Sequence, residues 1–204
     1  MMTRAIAILF ACSLLAAGVE DPGQAAFDAA AKALVAGDYP SAESGFQSVL
    51  KTQPRHVGAL GNLGIIYSRT GRTAQAVAAY RRALEVSPND KAILLNLGLV
   101  YLKQEAHRKA LPLFERVSAL DPAHQQARQL TAVCRLYTGQ VVLAIRDLES
   151  LRNENPNDQQ TLFLLGFAFF GLDRDHIRIP RRQIQKNPFP QTQIFLQPKI
   201  NNNS

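Results

Sequence analysis

Four prolines, Pro54, Pro88, Pro122 and Pro156, recur at intervals of 34 residues. A fixed period of this length means one supersecondary unit used several times, so the protein folds as a stack rather than around a single centre. Other columns keep the same step: Gly37, Gly71 and Gly139; Ala42, Ala76, Ala110 and Ala144; Phe46, Tyr80, Phe114 and Leu148. Within each period two apolar stretches have helical spacing, such as Leu60, Leu63 and Tyr67, then Ala76, Tyr80, Ala83 and Leu84. A turn that usually contains glycine divides them, which predicts a helical hairpin. The prolines Pro88 and Pro122 follow second helices, where a residue with fixed φ and no N–H stops the helix.

Two periods carry a further match, Leu63-Gly64-x-x-Tyr67 and Leu97-Gly98-x-x-Tyr101, and Leu165-Gly166-x-x-Phe169 begins another. In length, residue types and spacing, residues 23–171 resemble the tetratricopeptide repeat. That resemblance implies an all-α fold, a right-handed superhelical array of antiparallel helix hairpins with about four repeats and a partial fifth. The units run 23–56, 57–90, 91–124, 125–158 and 159–171. Gly64 with Ala76, and Gly98 with Ala110, are small enough for paired helices to approach closely. The second and third units fit best, though Glu105 stands where the inter-helix turn normally has glycine. The fourth fits worst, with Thr131-Ala132 and Arg135 in place of Leu-Gly and Tyr, which leaves the phase of its first helix open.

In this family the first helices line a concave groove that holds a protein or peptide segment. Carried over, the lining is Asn62 and Asn96, equivalent residues one repeat apart, with Gly58, Gly61 and Ile65 on one helix, Leu95 and Leu99 on the next, and Arg69 and Lys103 further along. An asparagine amide both donates and accepts, so a pair at repeat spacing can register a peptide backbone. The carboxylate clamp of chaperone-binding members is not reproduced: only Asn62 has its counterpart, while Phe27, Ala31 and Ala92 occupy other clamp positions.

The formal charge is +7, but it is concentrated at the ends. Without Arg4 and the segment from Arg174 onward, basic and acidic residues nearly balance, which argues against a nucleic-acid groove. Arg4, the apolar run Ala5–Ala17 and the small residues Ala16-Ala17-Gly18 read as a signal segment over 1–18, placing the mature protein in the periplasm, cell envelope or medium. Leu9-Phe10-Ala11-Cys12 is a competing lipoprotein reading, and membrane contact is expected only through such an anchor. Residues 174–204, basic and rich in Gln, Asn and Pro, read as disordered. They replace the second helix of the fifth unit, with Arg178, Pro180 and Arg182 where packing residues belong, either as a natural tail or as a truncated reading of a longer protein.

No residue pattern points to catalysis, a metal or a cofactor. His56 and His124 fall in equivalent inter-repeat turns, and His107 and His176 complete no ligand spacing. Gly58-x-x-Gly61-x-x-Gly64 has the wrong step for a dinucleotide loop, and Cys134 reads as a small core residue. The expectation is a non-enzymatic scaffold; the competing reading is the recruiting arm of a larger enzyme. The apolar segment 161–172 is a candidate surface for self-association.

Overall fold

A computed structural model describes residues 22–173. The proposed signal segment with Cys12 and the tail from Arg174 lie outside the described residues. The described part is all-helical: α1 Pro22–Val35, α2 Tyr39–Thr52, α3 Val57–Arg69, α4 Thr73–Val86, α5 Lys91–Lys103, α6 His107–Leu120, α7 Gln125–Tyr137, α8 Val141–Glu154 and α9 Gln159–Asp173. It divides into two compact units at Pro54/Arg55. In the first, α1 packs on α2 with the Phe27 and Phe46 rings 5.4 Å apart. In the second, each helix from α3 to α9 packs on the next, and the first helices α3 and α5, like α7 and α9, also touch.

Short turns make each pair antiparallel, and their hydrogen bonds repeat. Arg72, Ala106 and Gln140 N–H groups donate to the carbonyls of Tyr67, Tyr101 and Arg135, five residues back, at 2.8, 2.9 and 2.8 Å. This is the helix-ending motif that needs a left-handed residue just before the donor. Gly71 and Gly139 supply it with φ of 78° and 84°, and Glu105 is forced into the same region at 58°. At the other end, α2, α4, α6 and α8 stop two residues before Pro54, Pro88, Pro122 and Pro156.

The fourth unit keeps its phase. α7 starts 34 residues after α5 and has the same 13-residue length, despite the changes at Thr131, Ala132 and Arg135. What changes is the packing inside the hairpin. A Cβ on Gly64 would lie 2.4 Å from the Tyr80 ring, and one on Gly98 would lie 2.5 Å from the Phe114 ring. The small residues therefore make room for the aromatic of the second helix; the expected closest partners, Ala76 and Ala110, are fully buried but are not the atoms that come nearest. In the fourth unit, Ala132 stands at the glycine position and Leu148 at the aromatic one, both in one core cluster. A smaller partner there permits a Cβ.

Candidate functional site

Each first helix of the second unit begins on a cap from a side chain. His56 Nδ1 accepts from Ala59 N–H at 3.1 Å, Asp90 Oδ1 from Ile93 at 3.0 Å, His124 Nδ1 from Ala127 at 3.2 Å and Asp158 Oδ2 from Thr161 at 2.9 Å. A cap oxygen or imidazole nitrogen satisfies one of the amides that a helix start leaves without an intrahelical partner. The two turn histidines, His56 and His124, are thus structural. The signal was available in the 34-residue column His56, Asp90, His124, Asp158, which alternates two side chains able to accept.

The caps fix where the first helices present their faces. Asn62 and Asn96 sit at equivalent places on α3 and α5, with Gly58, Gly61 and Ile65 on the first and Leu95 and Leu99 on the second. The sequence reading makes these seven part of the groove lining, and the structure buries all of them: Asn62 is 0% exposed, Asn96 2% and Ile65 0%. Burial runs unbroken from Gly58 to Tyr67 and from Ile93 to Tyr101, covering every side of both helices. Asn62 and Asn96 each make at least one interaction. Both side chains are thus withdrawn from solvent, where a polar group is costly unless it exchanges water for another interaction. Arg69 and Lys103, at the C-terminal ends of the same helices, are exposed. Their charge suits the partial negative end of a helix.

The structural columns occupy the interior. Tyr67 and Tyr101 are almost completely buried, Tyr80 and Phe114 completely so, and burial pushes the pKa of the Tyr80 phenol up. Arg81 on α4 donates to the Tyr101 hydroxyl on α5 at 2.8 Å, tying the second repeat to the third. Cys134 is fully buried and its thiol is pushed up to about 12, chiefly by burial. Such a thiol is a poor nucleophile at neutral pH. No group of three His, Cys, Asp or Glu among the described residues is placed to hold a metal ion. None of the described helices is long and apolar enough to cross a membrane.

Stacked hairpins of this geometry define an α-helical repeat protein. Two family models, each described as tetratricopeptide repeat, match the sequence, one over residues 27–92 and 62–124 and the other over 101–165. The chain belongs to the tetratricopeptide repeat family. It is 26% identical over 150 residues to anaphase-promoting complex subunit 3 of Schizosaccharomyces pombe, a match covering 74% of this chain but 23% of that protein. Among solved structures it is similar to MamA, at 20% identity and a TM-score of 0.68 over 74% of this chain and 82% of that one. It is also similar to YrrB, a TPR protein with an unusual peptide-binding site, at 17% identity and a TM-score of 0.68 over 74% and 77% of the two chains.

Proposed function

We propose that this protein is an exported scaffold that recognises a protein or peptide segment at the exposed C-terminal ends of the first helices of its second and third repeats. The observation that carries this reading is the repetition of exposed Arg69 and Lys103, one repeat apart, at the ends of apolar helices whose amides Asn62 and Asn96 are buried. The match to a subunit of a multiprotein complex and the likeness to a peptide-binding TPR protein support it. Export rests on the character of residues 1–18.

The test is a photo-reactive side chain placed at Arg69 or Lys103, and separately at Arg82 or Arg116, exposed residues of the second helices. Partners in the producing cell should be captured from the first pair and not from the second. Equal capture from both would move the binding face elsewhere. Fusing residues 1–18 to a reporter active only outside the cytoplasm tests export, and an inactive reporter would refute it.

A further inference from the structure

The seam between the third and fourth repeats is not filled like the seam before it. In the earlier seam, Leu84 on α4, Leu94, Leu97 and Tyr101 on α5, and Leu113 on α6 make an apolar surface, with Arg81 capping the Tyr101 hydroxyl. One repeat later the same positions read Ser118, Arg128, Thr131, Arg135 and Asp147, with Glu115 in place of Arg81. These six residues line an open slot of about 590 Å³. Six changes at the same seam are more than one repeat drifting from its pattern; they replace a packed junction with a cleft.

Most of the charge in the slot is already spoken for. Arg135 Nη2 donates to Glu115 at 2.9 Å, and its Nη1 pairs with Asp147. Arg128 bonds Glu154 through both terminal nitrogens and Ser150 at 3.1 Å. What is left over is a set of donors. Arg135 Nε and the Ser118 hydroxyl are withdrawn from solvent and have no hydrogen-bond partner. Arg146 also lines the slot, is exposed, and takes part in none of the ion pairs of the described residues. A dry guanidinium N–H without an acceptor is unfavourable, and the group that relieves it best is an oxygen bearing charge.

We propose that this slot is a second recognition site, which takes a carboxylate carried by a peptide: an Asp or Glu side chain or a free C-terminus. The slot has the size of a small-ligand site, larger than one carboxylate needs, so a residue or two of the peptide can follow the charge in. Its three arginines are balanced by Glu115, Asp147 and Glu154, which leaves no net field to draw in a phosphate dianion or a nucleic-acid backbone. A single carboxylate, by contrast, asks for no more than the donors left over at Arg146, Arg135 Nε and Ser118. The site is distinct from the one under Proposed function. On α7 the column of Asn62 and Asn96 falls at Leu130 and that of Ile65 and Leu99 at Val133, whereas Arg128, Thr131 and Arg135, spaced i, i+3 and i+7, occupy the other side of the helix.

The Arg135 Nε–H resonance of the full 204-residue protein, labelled with ¹⁵N at arginine, reads the site directly. The probes are N-acetyl-Ala-Ala with a free C-terminus, the N-methylamide of N-acetyl-glutamate, and inorganic phosphate. A saturable shift with either carboxylate is expected, and whichever binds more tightly identifies a peptide end or a side chain as the source. Arg146→Gln, at an exposed position that does not threaten folding, should weaken that binding by about 5- to 10-fold. The proposal is overturned if neither carboxylate gives a saturable shift, if phosphate binds as tightly as they do, or if Arg146→Gln leaves the affinity unchanged.

Discussion

The third and fourth hairpins follow one backbone plan with opposite side-chain solutions. In α5 and α6 a glycine admits an aromatic ring, and the seam facing the preceding hairpin is apolar; in α7 and α8 an alanine meets a leucine, and the corresponding seam is ionic. Helix starts and lengths are the same in both. The path of the backbone is therefore set by what the two share: caps, left-handed turn residues, terminal prolines and a fully buried alanine at Ala110 and Ala144. The rest of the interior is free to change, provided that volume and hydrogen bonding are conserved locally.

The size pairing gives the largest expected effect. Gly98→Ala should destabilise by about 1 to 3 kcal/mol, since its Cβ would meet the Phe114 ring and a fully buried ring has nowhere to move. Adding Phe114→Leu reproduces the fourth hairpin's pair, so the double variant should be more stable than the sum of the two single changes predicts, with a coupling on the order of 1 kcal/mol. Urea titration of the four members of the cycle measures it. Simple additivity would show that Ala132 and Leu148 are not a matched substitute.

The seam gives the next. Arg135→Ala strips two carboxylates of their shared partner, and the side chain is 19% exposed, so a loss of about 1 to 3 kcal/mol is expected. Replacing Arg135 with Tyr and Glu115 with Arg instead installs the pair that Arg81 and Tyr101 form one repeat earlier. If the two seams share a backbone, this swap recovers most of the loss in thermal or chemical denaturation. A double variant no more stable than Arg135→Ala would mean that the fourth repeat sits differently from the third.

How much of this could be read in the sequence follows the same division. The period, the hairpins and their boundaries were legible because Pro54, Pro88, Pro122 and Pro156, Gly71 and Gly139 act on the backbone at their own positions. Contacts across a hairpin were less so. Gly64 reads as a close-approach point, but its neighbour is Tyr80, sixteen residues on, because a long ring reaches across where a methyl does not. Accessibility was least legible. Asn62 has the composition of a groove residue, and nothing in its spacing reveals that it is fully buried. The polar seam was visible only as a poor match at Thr131 and Arg135; that Glu115 answers Arg135 as Arg81 answers Tyr101 emerges when the columns are read as pairs.

The turns reverse the comparison, since here the third hairpin is the irregular one. Glu105 holds φ 58° in the place where Gly139 holds 84° and Gly71 holds 78°. An L-residue with a Cβ is strained in the left-handed region by about 1 to 2 kcal/mol, while glycine gives back part of that through its greater freedom when unfolded. The two terms nearly cancel, so Glu105→Gly should stabilise by only about 0.5 kcal/mol, the smallest of these effects. Gly139→Glu is the mirror experiment and should cost a similar amount, because no atom lies within 4 Å of where its Cβ would be and backbone conformation alone decides the result. Denaturation midpoints of the two variants should therefore move in opposite directions by similar amounts. A loss of stability in Glu105→Gly would mean that the glutamate side chain, rather than the turn's geometry, holds the third hairpin closed.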